Sequence, residues 1–521
     1  MYPGVHAKTQ PDKIAAILPS TGETLTFGAL DARSNQLARV LRAAGLEAGD
    51  HVAVFMDNRL AFFETTWACL RAGLYITPIN RYLSAPEAAH IVEDCDATAL
   101  IAAASLEQAA ELGERAPRCT LKLAVGGKID GFNDYAAALS RHSTEKLPDE
   151  SLGALMFYSS GTTGKPKGVL RARPAQDVTL GNPNLAQIGS SYGFSNSTIY
   201  LSPAPLYHAA VLGGANAALQ YGGTIIVMEK FDAETALRHI ETYKVTHSQW
   251  VPAMFVRMLK LASELRTKYD LSSQTCAIHA AAPCPVDVKQ QMIGWFGPIV
   301  LEYYSSTEGA GFAMISSAEW MTHQGSVGKS RGRPFHVCDD DGRELPPGTP
   351  GNIYGEMQPG VQFEYHKDPK KTAAVRHPLH EDWVTTGDIG YLDDEGYLFL
   401  TDRQAFMIIS GGVNIYPQQI EDVLALHPKL ADAAVIGVPN QEMGEEVKAV
   451  VELAPGVEPS EELAEEIKDY IRARLGRLLV PRTVDFTAQL PRLPTGKLYK
   501  KALRDRYWQQ GSATTSLAAR S

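Results

Sequence analysis

The chain has 521 residues, 45% of them hydrophobic and 21% charged, with a formal net charge of −10 spread along its length. That length exceeds one ordinary core and implies at least two domains of soluble globular composition. No basic stripe of the kind that tracks nucleic acid is present, which excludes that class of partner.

Met1 to Asp12 holds no apolar core of signal-peptide length. Cys69, Cys95, Cys119, Cys276, Cys284 and Cys338 form no C-x-x-C pair, and no histidines cluster beside them. A zinc or redox site is therefore not expected. Free, mostly buried thiols in a reducing, cytoplasmic setting are.

Taken in chain order, helical periodicity runs from Leu30 to Ala44. A strand, His51–Phe55, follows the Gly49-Asp50 turn, then a helix from Arg59 to Ala72 and a strand at Tyr75–Pro78. Leu152–Phe157 is an apolar stretch with the look of one strand. Val178–Met228 carries no Asp, Glu, Lys or Arg, but Pro183, Pro203, Pro205 and several glycines interrupt it. It is thus predicted to be buried interior and no membrane span. Strands at Gly223–Met228 and Val245–Trp250 flank a helix at Ala233–Tyr243. Strands alternating with helices predict layered parallel α/β structure.

From about Gly325 the texture changes to short Gly/Pro/Asp-rich strands such as Asn352–Gly355 and Gly396–Leu400. A smaller α+β unit is predicted after Arg403, with a helix at Pro417–Leu426, a strand at Ala433–Val438 and a helix at Ser460–Leu475. The Ser/Ala/Gln-rich tail after Trp508 reads as disordered.

The strongest chemical signal is Tyr158-Ser-Ser-Gly-Thr-Thr-Gly-Lys-Pro-Lys-Gly168. Glycines let backbone N–H groups approach phosphate oxygens, hydroxyls add donors, and lysines supply charge. It is not a Walker loop. Ser159 stands five before Gly164 where glycine is required, and Pro166 follows Lys165 where Ser or Thr is required.

This loop resembles the signature of the adenylate-forming superfamily, which includes acyl- and aryl-CoA synthetases, peptide-synthetase adenylation domains and luciferases. Further motifs of that family recur in order across nearly the whole chain. The resemblance implies that Ser159, Ser160, Gly161, Thr162, Thr163, Gly164, Lys165 and Lys167 hold the phosphates of ATP. In Tyr303-Tyr-Ser-Ser-Thr-Glu308 it gives Tyr304 to the adenine, Thr307 to the α-phosphate and Glu308 to Mg²⁺. Ala282 also falls to the nucleotide. Asp388, in Trp383-Val-Thr-Thr-Gly-Asp388, would bond the ribose, and Arg403 the ribose and phosphate.

Pro491-Arg-Leu-Pro-Thr-Gly-Lys497 resembles the family's stiff loop presenting the catalytic lysine, here Lys497. Charge develops where carboxylate meets α-phosphate, and an ammonium suits that task. Lys500 and Lys501 are expected to be solvated helix residues. Gly411 and Gly412, in Ile409–Pro417, would line the pantetheine tunnel of coenzyme A after a domain rotation; a plain strand-to-helix turn fits the same residues. Ala405 stands where many relatives carry Asp or Lys at the hinge.

His208, in Pro205-Leu-Tyr-His208, would sit beside the acid and the adenylate, although a lone histidine among apolar residues is also the mark of a core residue. Ala209 and Ala210 follow where amino-acid-activating relatives keep an aspartate near this point. The acid pocket implied by resemblance comprises His208, Ala209, Trp250, Ala281, Tyr303, Ser305 and Gly311, with Trp250 equally readable as core. Small linings plus Trp250 suit a bulky apolar acid, fatty or aryl.

The expectation is a large α/β N-terminal domain with a β-rich subdomain (1–402), a small mobile α+β C-terminal domain (403–508) and a tail (509–521). Its predicted work is ATP-dependent acid–thiol ligation of a small-molecule carboxylic acid with coenzyme A through an acyl adenylate. An amide synthetase or carrier-loading enzyme shares the first step. A non-catalytic nucleotide-binding protein is the rival of another class, and a homodimer is left open.

Overall fold

The computed structural model describes residues 2–159, 166–174, 176–357, 363–403, 406–440, 442–492 and 498–508. Two compact units divide the chain: Met1–Ala281 with Phe296–Gly309 and Met357–Ala374, and Ala282–Trp295 with Ala310–Glu356 and Val375–Ser521.

The first unit is built of parallel α/β layers, as the alternation of elements implies. One parallel sheet runs in the order Asn133–Asp134, Leu121–Val125, Ala97–Ala103, His51–Phe55, Tyr75–Pro78 and Ala154–Leu155. A second runs Val300–Ser305, Cys276–His279, His247–Trp250, Ile199–Ser202, Thr224–Val227 and Ile14–Leu18, with Glu23–Thr26 antiparallel at its edge. Helix starts are marked by side-chain caps. Thr26 accepts from the Ala29 amide before Phe27–Ala43, Ser84 and Glu87 form a capping box before Ala85–Asp94, and Asp232 accepts from Thr235 before Ala233–Tyr243. Within Val178–Met228, the helix Ala209–Gln220 is buried from Val211 onward. Among the described residues no helix is long and apolar enough to cross a membrane.

The stretch Leu152–Phe157 is not one strand. Ala154–Leu155 extends the first sheet beside Tyr75–Pro78, and Phe157–Ser159 belongs to a separate antiparallel sheet with Lys167–Arg171 and Phe363–Tyr365. The break falls at Met156, whose side chain is fully buried in the core of the first layer. Gly153 is required just before it, since a Cβ there would meet the Leu74 carbonyl at 2.2 Å.

The second unit opens with antiparallel strands in the order Phe335–Cys338, Gly351–Glu356, Trp383–Leu392, Leu398–Arg403, Ser326–Ser330 and Phe312–Ser316. Its C-terminal lobe pairs Val413–Ile415, Ile408–Ser410, Gly444–Leu453 and Leu430–Asn440, with Thr483–Thr487 parallel to Gly444–Leu453. The helices Pro417–Leu424 and Glu461–Leu475 cover this sheet through Ile420, Leu424, Leu463, Ile467 and Ile471. Glu461 and Glu462 at the start of the second helix and Arg472 and Arg474 at its end complement the helix dipole. Lys501 is half-buried, but Lys500 is not the solvated residue expected: it is 8% exposed and paired with Glu421. The tail after Trp508 lies outside the described residues.

Asp422, on the helix Pro417–Leu424, accepts from Gln418 Nε2 at 2.7 Å. Burial first, then the charges of Glu421 and Asp402, push its carboxyl up to about 7. The folded lobe therefore keeps a proton that the unfolded chain, with the ordinary value of 3.8, has lost. Stability from this group falls as pH rises from 3.8 toward about 7 and stays lost above. Asp422→Asn keeps the acceptor for Gln418, and it is expected to raise the melting temperature at pH 8 while changing it little at pH 4. Equal shifts at both pH values would contradict this origin.

Candidate active site

The flank of the phosphate loop is tied to the Thr307-Glu308 segment within the first unit. Strand Lys167–Arg171 is the central member of its antiparallel sheet, between Phe157–Ser159 and Phe363–Tyr365. From its end, Arg171 Nη2 donates to the Thr307 carbonyl at 2.6 Å. Gly309 makes room for this approach: its φ is +78°, and a Cβ there would meet Arg171 Nη2 at 2.6 Å. On the neighbouring strand, Tyr365 Oη donates to Glu308 Oε1 at 2.8 Å. Burial and the Glu308 charge push the Tyr365 hydroxyl well above its ordinary range. The Lys167 ammonium lies 4.9 Å over the Tyr365 ring, and burial with the nearby Lys371 lowers its pKa. Two sequence-predicted residues, Lys167 and Glu308, thus share one network. Sequence reasoning missed Tyr365 and Arg171, whose only signal was position: one follows the loop motif and the other lies far along the chain.

Strand alternation separates the predicted pocket residues. On Val300–Ser305, neighbours point to opposite faces. Tyr303 meets Gln249 Nε2 at 3.3 Å and packs against the Tyr192 ring, with centroids 5.9 Å apart. Glu302 meets His279 on the other face at 3.6 Å. The same rule acts on His247–Trp250. Gln249 accepts from Tyr200 Oη at 2.5 Å, under Gly214. Trp250 is 1% exposed and packs against Phe231, Phe255 and Phe296, with its indole N–H on Ser248. Trp250 therefore takes the core reading, on the His279 face. Gln249, Tyr192 and Tyr200, all missed in the sequence, stand with Tyr303. Tyr304 alternates away from Tyr303, Ser305 is exposed, and Thr307 is half-buried.

His208 occupies the N-cap position of the helix Ala209–Gln220 and packs its ring tilted against Tyr207, with centroids 4.4 Å apart, and both His208 and Ala209 are half-buried. Ala281 ends the first segment of the first unit with φ +76°, a left-handed backbone in a residue with a Cβ.

In the second unit, Ala282 is exposed. Gly311 has φ +80°, and a Cβ there would strike the Phe335 ring at 2.2 Å. Asp388 and Arg403 are register partners on adjacent strands, and Thr386 Oγ1 donates to Asp388 Oδ2 at 2.7 Å. Gly411 and Gly412 join the strands Ile408–Ser410 and Val413–Ile415 with φ of +57° and +81°. Positive φ at both positions is what a two-residue hairpin turn needs, so these residues join strand to strand, and the strand-to-helix turn expected of them is not formed: the helix begins only at Pro417, after the second strand. Ser160 to Lys165, Ala405 and Lys497 lie outside the described residues, as do the side chains of Ser159 and Arg403.

The family model of the AMP-binding enzyme matches residues 5–361, and that of the AMP-binding enzyme C-terminal domain matches residues 419–497. The chain belongs to the AMP-binding enzyme family, and it is an adenylate-forming ligase. It is 34% identical over 496 residues to a feruloyl-CoA synthase of Amycolatopsis sp, covering 93% of this chain and 94% of that one. It is 31% identical over 511 residues to a fatty acid–[acyl-carrier-protein] ligase of Streptomyces coeruleorubidus, covering 96% and 95%. Among solved structures, the amide bond synthetase of Marinactinospora thermotolerans superposes with a TM-score of 0.80 at 26% identity, covering 95% of this chain and 97% of that one.

The left-handed backbone at Ala281 costs roughly 1–2 kcal/mol in a residue with a Cβ, and glycine returns about 0.4–1 kcal/mol of that through the freer unfolded chain. Ala281→Gly is accordingly expected to stabilise the protein by roughly 0 to 1.6 kcal/mol in urea unfolding. Destabilisation would show that the methyl contributes packing that outweighs its strain.

Proposed function

We propose that the protein is an AMP-forming acyl-CoA ligase acting on an uncharged fatty or aryl acid. The observation that carries this reading is the joining of the phosphate-loop flank to Thr307 and Glu308 through Arg171 and Tyr365. In the first step a carboxylate oxygen attacks the α-phosphorus of ATP, and the bond to pyrophosphate breaks. In the second the coenzyme A sulfur attacks the acyl carbon, the bond from that carbon to the bridging oxygen breaks, and AMP leaves.

The residues have separate tasks. The loop and Lys167 bind the polyphosphate, Asp388 and Arg403 hold the ribose and α-phosphate, and Tyr304 stacks on the adenine. Lys497 stabilises the charge that develops during the first step. His208, Ala209, Ala281 and Tyr303 surround the acid, with Gly412 left to the pantetheine. Glu308 suits a magnesium ion: a buried carboxylate beside a hydroxyl residue matches an ion held mostly by substrate phosphates. Bound magnesium would neutralise phosphate charge. We place the domain boundary near Asp402 and the protein in the cytoplasm.

An AMP-release screen tests the reading. Straight-chain fatty acids, benzoate, cinnamate and amino acids are compared with and without coenzyme A. Thioester from a fatty or aryl acid is expected. Amide formed on adding an amine, with no thioester, would select the amide-synthetase alternative, and AMP release with amino acids alone would overturn the acid class.

Lys497→Ala should lose about 10²–10³ in pyrophosphate exchange, and it should keep thioester formation from synthetic acyl-adenylate. Equal loss in both half-reactions would remove the assigned role. Tyr365→Phe should raise the magnesium concentration for half-maximal exchange, because a group hydrogen-bonded to a metal ligand typically tunes metal affinity about 10–100-fold. An unchanged magnesium titration would count against Glu308 as the ligand that Tyr365 orients. Asp388→Ala should weaken ATP in calorimetry, and unaltered affinity would remove the ribose assignment.

A further inference from the structure

The chain returns to one spot on either side of the segment carrying Lys497. Arg492 and Leu498 form an antiparallel bridge, and the Tyr499 amide donates to the Pro491 carbonyl at 2.8 Å. Each side has an ion pair. Upstream, Arg492 pairs with Asp432 on the strand Leu430–Asn440, both side chains 31% exposed. Downstream, Lys500 Nζ lies 2.7 Å from Glu421 Oε2, with the side chains 9% and 10% exposed. Water and salt screen the first pair far more than the second, so the downstream pair is the firmer hold.

The partner of Lys500 is itself fixed. Glu421 Oε1 accepts from the Val435 amide at 2.7 Å, which ties the helix Pro417–Leu424 to the sheet. The Lys500 ammonium also stands 5.6 Å over the ring of Phe406, the first described residue beyond the hinge positions 404 and 405. Helix 500–508 has further anchors: Leu503 is 3% exposed in a cluster with Ala434 and Ile436, Arg504 pairs with Glu445 at 2.8 Å, and the Trp508 indole donates to the Gly437 carbonyl at 3.0 Å. Those anchors hold the helix. Leu498 packs against the same cluster as Leu503, and among the described residues the Lys500 pair is the ion pair at the helix's first residue, three positions beyond Lys497.

We propose that Lys500 is a positioning residue for adenylation: its buried pair with Glu421 fixes the chain immediately beyond Lys497 and thereby sets where the Lys497 ammonium can reach. This rests on the reading of Lys497 given above. An ammonium buried in this way needs its partner, and a methionine of similar length would keep the stem packing but lose the directional hold. Arginine can restore the pair.

The test compares the full-length wild type with Lys500→Met, Lys500→Arg, Glu421→Gln and Lys497→Ala. Pyrophosphate exchange is measured with the best acid among octanoate, benzoate and cinnamate. Thioester formation is measured from the matching synthetic acyl-adenylate. Lys500→Met should lose about 10- to 100-fold in the exchange kcat, the scale of a misplacement near 1 Å. The KM for ATP and the thioester step should stay close to wild type, and Lys500→Arg should recover most of the loss. If Lys500→Met does not fold, Glu421→Gln, which retains the bond to Val435, should show the same split. Equal loss in both half-reactions, or exchange at the wild-type rate in a folded variant, would overturn the proposal. Failure of Lys497→Ala to impair exchange would overturn the reading beneath it. A crippled Lys497→Ala beside unimpaired Lys500→Met would overturn the positioning role alone.

Discussion

The half-buried guanidinium of Arg171, bonded to the Thr307 carbonyl, is the contact on which the first unit's site depends. It fastens the end of the strand leaving the phosphate loop to the turn before Gly309. Tyr365 adds a second fastening one strand away, at the Glu308 carboxylate. The strand that follows the loop and the carboxylate are thus tied to neighbouring strands of one small sheet. The chemistry demands that rigidity. A carboxylate must approach a polyphosphate, and two unit charges 4 Å apart repel by about 4 kcal/mol at the effective dielectric of a protein surface. Cations and donors set in advance offset that repulsion without reorganising at the moment of reaction.

The second unit contributes groups of another kind. Asp388 and Arg403 face each other across a strand pair, so sheet register fixes their relation. Farther on, a buried ion pair, a carboxyl that keeps its proton near neutral pH and a glycine–glycine turn lie within one lobe. Buried charge is expensive and is tolerated where partners are complete. Lys500 and Glu421 meet that condition through each other, with the Val435 amide completing the carboxylate.

Much of the fold was legible because local pattern and tertiary setting agreed. Tyr75–Pro78 and Ala233–Tyr243 match their sequence readings at both ends, since each is bounded by turn or capping residues. Leu152–Phe157 misled because an apolar run does not say which sheet it joins, and Met156 turns the chain from one to another. The loop, Glu308 and Asp388 could be picked out as motifs of chemically distinctive residues. Trp250 could not be assigned to a face until the partners of Gln249 and Tyr303 were known, because alternation gives two faces without saying which one is core. Tyr365 and Lys500 were hidden for a related reason: a tyrosine in a short strand and a lysine in a basic run acquire meaning only from Glu308 and Glu421, 57 and 79 positions away in sequence.

Oxygen transfer offers the most direct measurement. An acid found active in the screen is prepared with both carboxylate oxygens as ¹⁸O and turned over with ATP and coenzyme A, and the products are read by mass spectrometry. Attack at the α-phosphorus followed by cleavage at the acyl carbon leaves one ¹⁸O in each AMP and none in pyrophosphate. Unlabelled AMP, or label in inorganic phosphate or pyrophosphate, would contradict an acyl-adenylate path and with it the assignment of these residues to adenylation.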